Sequence, residues 1–131
     1  MMPHPHTFTF TWPDGYRVVW DITRCTTLTW ASLPHWIRRI PRTVLRSIVT
    51  RQRPDTSALD WVDPTYPGLV AAILDDLGGH SWLLIDGYKR AAKVLREYLP
   101  SFAVLVVPTL VSRQSILHCD DWDRLPVPEP T

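Results

Sequence analysis

Residues 82–94, WLLIDGYKRAAKV, constrain the fold more than any other stretch of the chain. An apolar run, Trp82-Leu83-Leu84-Ile85, stops at Asp86-Gly87. A helical pattern starts at once, with Ala91, Val94 and Leu95 on one face and Lys89, Lys93 and Arg96 on the other. A short apolar run ahead of a turn reads as a buried strand. Gly87 permits a sharp change of direction, and Asp86 is a good N-cap for the helix. A helix start presents backbone N–H groups and the positive end of the helix dipole, so this corner suits an anion, most naturally a phosphate. Lys89 and Arg90 sit in the first turn, where they would neutralise it. Many strand-to-helix junctions carry the same residues and bind nothing, so spacing alone leaves a purely structural corner open.

Asp86-Gly87-Tyr88-Lys89-Arg90-Ala91-Ala92 resembles the Asp-Gly-x-His-Arg or Gly-Glu-Arg-Arg box of the ParB/sulfiredoxin-like superfamily. The run FAVLVV at 102–107 resembles the family's short terminal strand, and residues 63–71 resemble the lead into an earlier one. The similarity covers roughly residues 60–117. It implies a small mixed α/β (α+β) domain in which strand, box, helix and strand follow one another. It also implies a phosphate, nucleotide or nucleic-acid ligand at Asp86, Gly87, Tyr88, Lys89 and Arg90, with CTP or ATP and Mg2+ as the corresponding cofactors. Three departures narrow it. Tyr88 stands where sulfiredoxins place their cysteine, so sulfinic-acid reduction is not expected. Tyr88 also replaces the partition-protein glutamate, so that style of nucleotide hydrolysis is not carried over. Lys89 replaces a histidine, which keeps a cation and loses a neutral base.

A chain of 131 residues is sized for one domain with a real core. A single domain over 1–118 and a loosely held proline-rich tail over 119–131 are expected. Net charge is only +1, but its distribution is uneven: residues 1–53 hold eight Arg against Asp14 and Asp21, and residues 54–131 hold six Lys/Arg against eleven Asp/Glu. Such asymmetry points to a basic surface on one part of the fold. Cys25 and Cys119 make neither a disulfide framework nor a metal spacing. No run approaches the ~18–20 apolar residues that span a membrane, and the N-terminus does not read as a signal peptide, so a cytoplasmic protein is expected.

Along the chain, residues 7–12 alternate Thr with Phe8, Phe10 and Trp12, Pro13-Asp14-Gly15 supplies turn chemistry, and 16–22 resume as a β-rich run. This predicts an N-terminal β-hairpin over 7–22. Within 33–53, Ile37, Ile40, Val44, Leu45, Ile48 and Val49 recur at helical spacing, with Arg38, Arg39, Arg42 and Arg46 mainly off that stripe. The reading is a short helix broken at Pro41 and then a longer one. Arginine forks match phosphate oxygens, which makes these four residues the candidates for nucleic-acid contact. The alternative is a solvated face pairing with Asp60, Asp63, Asp75 or Asp76. Residues 69–74 read as a strand, 75–80 as a hairpin loop, 88–98 as a helix and 112–118 as a last helix. Asp63 is a candidate metal ligand beside a bound nucleotide.

Three function classes follow. The first is a ParB-like phosphate-, nucleotide- or nucleic-acid-binding protein. The second is a metal-assisted phosphoryl-transfer or nuclease enzyme, for which Asp63 and Asp86 are a thin set of groups. The third is a protein-interaction module with a decayed phosphate site, using exposed members of the seven Trp residues.

Overall fold

The computed structural model describes residues 6–32, 37–52, 59–74 and 79–128. It is α+β, with two sheets and four α-helices among those residues, and it opens with a strand pair. The chain divides into two compact units. Unit 1 comprises Met1–His35, Ala71–Leu83 and Val107–Thr131, and unit 2 comprises Trp36–Val70 and Leu84–Val106.

Unit 1 is built on the expected hairpin. Strands β1 (Thr7–Thr11) and β2 (Arg17–Asp21) pair antiparallel, with Phe8 opposite Trp20 and Phe10 opposite Val18. Trp12 N–H donates to Tyr16 O at 2.8 Å, closing the Pro-Asp-Gly turn. Alternation sends Val18 and Trp20 into the core, both fully buried. The indole of Trp20 donates to Ser112 Oγ at 3.0 Å, so its polar edge has a partner. Helix α1 (Ile22–Ala31) then starts, an element that the sequence reading does not assign. Its four threonines argue against helix by propensity. Asp21 overrides them by capping Arg24 N at 3.0 Å, and buried Ile22, Cys25 and Thr29 anchor one face.

The C-terminal part corrects two expectations. The last helix, α4, is Thr109–Gln114, not 112–118, and Ile116–Cys119 is instead a strand that completes the sheet order β1-β2-β7. The open edge of β2 offers backbone partners to Ile116, His118 and Cys119, which a six-residue helix could not match. The following residues are tied down as far as Pro126 rather than loose. Leu125 is buried, Arg113 donates to the carbonyls of Pro126, Leu125 and Trp122, and Arg124 grips both oxygens of Asp14.

Unit 2 carries the stretch that organised the sequence reading. Its elements are β3 (Ile37–Pro41), α2 (Arg42–Gln52), a 3-10 turn (Leu59–Trp61), α3 (Tyr88–Arg96) and β6 (Ser101–Val106). Strands β4 (Gly68–Leu74) and β5 (His80–Asp86) contribute residues to both units. The sheet order is β3-β6-β4-β5, with β6 parallel to β4 and antiparallel to β3. Leu45, Val70, Leu84, Ala91, Val94, Phe102 and Val104 form the core, which α2 and α3 cover. Residues 37–41 were expected to be helical and are an edge strand. The apolar spacing fits a helix, but a residue before proline is pushed toward extended backbone, so Ile40-Pro41 ends a strand and α2 starts at Arg42. The expected loop at 75–80 lies largely outside the described residues, as do Asp75, Asp76 and the side chains of Arg51 and Arg53.

Candidate nucleic-acid interface

The strand-to-helix corner stands where it was expected, but its parts do different work. Asp86 is the last residue of β5 and does not cap α3. The N-cap is Gly87, at φ 99°, with no side-chain cap. That left-handed backbone favours glycine, and so does the space: a Cβ on Gly87 would lie 2.9 Å from Gly68 Cα and 3.3 Å from the Arg90 guanidinium. Gly68 is equally confined, since its own Cβ would meet Asp86 O at 2.8 Å. The two glycines let β4 and the bend lie back to back. Arg90 donates to Asp86 Oδ2 at 3.0 Å and lies 5.1 Å over the ring of Tyr66. Tyr88 is half-buried and its hydroxyl donates to Leu84 O. Lys89 is exposed. The guanidinium that the sequence offers to a phosphate is engaged internally, and backbone and side-chain atoms fill the concave side of Gly87. The corner has the geometry of a clasp.

The carboxylates near it are engaged too. Asp63 Oδ1 accepts from Thr65 Oγ1 at 2.5 Å and Thr65 N at 2.9 Å, and these bonds hold its carboxyl below the usual range. Asp60 pairs with Arg96 at 2.7 Å. Lys93 donates to Val62 O at 2.7 Å and Asp60 O at 3.2 Å. These bonds tie the 3-10 turn to α3 and leave Trp61 at its end 90% exposed. Among the described residues no three His, Cys, Asp or Glu side chains gather as metal ligands. Asp63, bound to its own turn, and Asp86, bound to Arg90, do not supply a donor set that fits nucleotide-bound Mg2+.

The four arginines of β3 and α2 are arranged differently. Arg38 and Arg39 are exposed on the edge strand, and Arg39 Nε donates to Ser101 Oγ at 2.8 Å. Arg42 is half-buried and structural in part. Its Nη1 donates to Leu95 O at 2.8 Å and Val94 O at 3.4 Å, which satisfies carbonyls at the end of α3. Its guanidinium lies 4.7 Å from the centre of the Tyr98 ring. Arg46 is one turn further along the same side of α2 and is exposed. The competing picture paired these arginines with Asp60, Asp63, Asp75 or Asp76; Asp60 and Asp63 bond to Arg96 and Thr65 instead, and Asp75 and Asp76 lie outside the described residues. Among the described residues no ion pair joins Arg39, Arg42 or Arg46 to a carboxylate.

Charge follows the units. Unit 2 holds ten Lys/Arg against five Asp/Glu, a balance of +5, and unit 1 holds four against eight, a balance of −4. Within unit 2, residues 37–52 hold five arginines and no acid. Tyr98, beside this segment, was not singled out by sequence reasoning. The tyrosine lies just beyond the last turn of α3, where a helix-ending glycine is usual, and Pro100 shortly after it is the signal that such an ending was due.

Fold and charge together define a small α+β protein with one basic unit. Compared with known proteins, the chain matches no family model, no curated protein and no solved structure.

Proposed function

We propose that unit 2 is a ParB/sulfiredoxin-like module that binds the phosphate backbone of nucleic acid, without catalysis, through the β3–α2 arginines. The strand order β4, β5, Asp-Gly corner, α3, β6 supports the family reading. The observation that carries the ligand reading is the segment 37–52, with five arginines, no acid, and Arg39 and Arg46 exposed without a carboxylate partner among the described residues. Arginines held by internal carboxylates would have little charge left to offer, whereas Arg39 and Arg46 retain theirs. The Arg90 corner serves as a structural support for this face. A cytoplasmic setting belongs to the same reading. It fits two cysteines that form no disulfide.

The test is fluorescence anisotropy with labelled oligonucleotides, single-stranded and duplex, over a range of salt. Binding of at least one of them should weaken as salt rises, with a log–log slope of about −2 to −3 for three phosphate contacts. Arg46→Ala should make that slope shallower by roughly 0.7–0.9. No binding at low salt, or binding indifferent to Arg39→Ala/Arg46→Ala, overturns the reading.

Trp61 favours a second reading, a protein partner. Around it Asp60, Asp63 and Glu97 outnumber Lys93 and Arg96, so that patch does not suit phosphate. An exposed Trp on a turn tied to α3 has the character of an interface anchor. Under this reading Trp61→Ala, and not Arg46→Ala, abolishes capture of the partner.

A further inference from the structure

We infer that the basic face carries a base-stacking platform at Tyr98 and therefore prefers single-stranded nucleic acid to duplex. This deepens the proposed function and rests on it.

Three observations meet at this residue. Tyr98 is 81% exposed, so its ring makes little contribution to the core. Its backbone lies at φ 55°, making it the one residue other than glycine in the left-handed region among those described. Glycine is the usual occupant of this position, directly after a helix end, where Leu99 N bonds back to Val94 O at 3.0 Å and Tyr98 N to Leu95 O at 3.3 Å. A bulky exposed ring is thus retained where the backbone would be easier without it. The ring is also placed. Arg42 is held by two carbonyls of α3 and stacks 4.7 Å from the ring centre. Arg42 N–H donates to Pro100 O at 3.1 Å, and Arg39 is bonded to Ser101. The turn that presents Tyr98 is therefore fastened to the same β3–α2 junction that carries the exposed arginines.

The chemistry of the occupant follows from the pairing. An aromatic face recognises another flat π-system, and a guanidinium behind the ring strengthens the stack. Arginines free of carboxylates recognise phosphates. A ligand that offers both at once, with bases not already stacked within a duplex, is a single strand. The acid beside it in sequence, Glu97, is paired with Arg96 at 3.2 Å. The exposed ring, and not charge, therefore selects a nucleic-acid strand over an acidic peptide, which would satisfy the arginines and leave the ring idle.

The experiment compares an oligothymidine strand, the same length of abasic strand, and a duplex, with the full chain and its variants. The wild type should bind oligothymidine more tightly than either of the others. Tyr98→Ala should weaken oligothymidine binding about tenfold, leave the abasic strand unchanged and leave the salt slope unchanged. Tyr98→Trp should restore the affinity. Tyr98→Gly removes both the ring and the backbone strain, so it guards against misfolding and should bind as Tyr98→Ala does. If oligothymidine and abasic strands bind alike, or Tyr98→Gly binds as well as wild type, the inference is overturned while the phosphate reading stands. If Arg39→Ala/Arg46→Ala has no effect on any strand, the phosphate reading fails, and this inference fails with it.

Discussion

Replacing Arg90 by alanine separates a structural clasp from a phosphate site. The Asp86–Arg90 contact is 3.0 Å, with the two side chains 24% and 18% exposed. Coulomb attraction at that distance is roughly 5–6 kcal/mol at an effective dielectric near 20, but desolvation and ordering oppose most of it. Exposed pairs retain about 0.2–1 kcal/mol, so this mostly covered pair is placed at about 1 kcal/mol. The guanidinium over Tyr66 adds about 0.5–1 kcal/mol. Arg90→Ala also strips contacts from the filled side of Gly87 and leaves Asp86 without its cation, bringing the expected loss to about 2 kcal/mol. For 131 residues unfolding as one transition, each kcal/mol shifts the midpoint by roughly 3–4 °C, so thermal unfolding followed by circular dichroism should show a fall of about 7 °C. A double-mutant cycle with Asp86→Asn should return a coupling of about 1 kcal/mol. A residue kept for a ligand behaves in the opposite way, since removing it relieves uncompensated charge. An Arg90→Ala midpoint at or above wild type, with zero coupling to Asp86, would refute the clasp.

Gly87→Ala should cost about 1–3 kcal/mol, because the left-handed backbone and the 2.9 Å approach to Gly68 Cα leave no room for a methyl group; an unchanged urea midpoint would contradict this. Thr29 Oγ1 is buried without a hydrogen-bond partner among the described residues, so Thr29→Val should be neutral or stabilising, by up to about 1 kcal/mol, and a clear loss of stability would reveal a partner. Hydrogen bonding from Arg124 is the main cause holding Asp14 below the ordinary carboxylate range, and backbone N–H donation from Arg17 does the same for Asp120. Groups lowered in the folded state add stability above their unfolded value of about 3.9 and lose it as pH falls below, since the unfolded chain then binds more protons. The urea midpoint should therefore drop from pH 5 to pH 2.5, and less steeply in Asp14→Asn; parallel curves would remove Asp14 from that account.

The sequence was most legible where local and long-range preferences agree. Leu83, Leu84 and Ile85 are apolar, β-suited and bounded by Asp-Gly, and they form the buried part of β5. The hairpin was legible for the same reason, with alternation and turn chemistry in agreement. Reading failed where tertiary partners decide. Residues 37–41 share a helical apolar period with α2, and only the restriction before Pro41 separates them. Helix α1 is poor in helix formers and depends on Asp21 and on the buried face it covers. Strand β7 exists because β2 has an edge to offer it. At the corner, Gly87 was read correctly as a bend, but sequence carried no sign that Gly68 would pack against it. Nor did it show that Asp86 would face Arg90 four residues on instead of capping the helix.

That last point bears on where a polyanion can bind unit 2. Its ten cations are not equivalent, because its five acids are not evenly placed. All five lie outside residues 37–52 in sequence; Asp60 and Glu97 meet Arg96, Asp86 meets Arg90, Asp63 closes its own turn, and Asp55 falls outside the described residues. Lys93 is engaged by the carbonyls of Asp60 and Val62. The conspicuous basic helix, α3, thus engages much of its charge with partners in its own unit, holding the corner and the 3-10 turn. The β3–α2 junction has no acid in its own sequence and turns Arg39 and Arg46 outward. Under the proposed function, position relative to carboxylates, more than the number of basic residues, selects the binding face. It also explains why a motif centred on Arg90 locates the fold's pivot while the available charge lies on a different pair of elements.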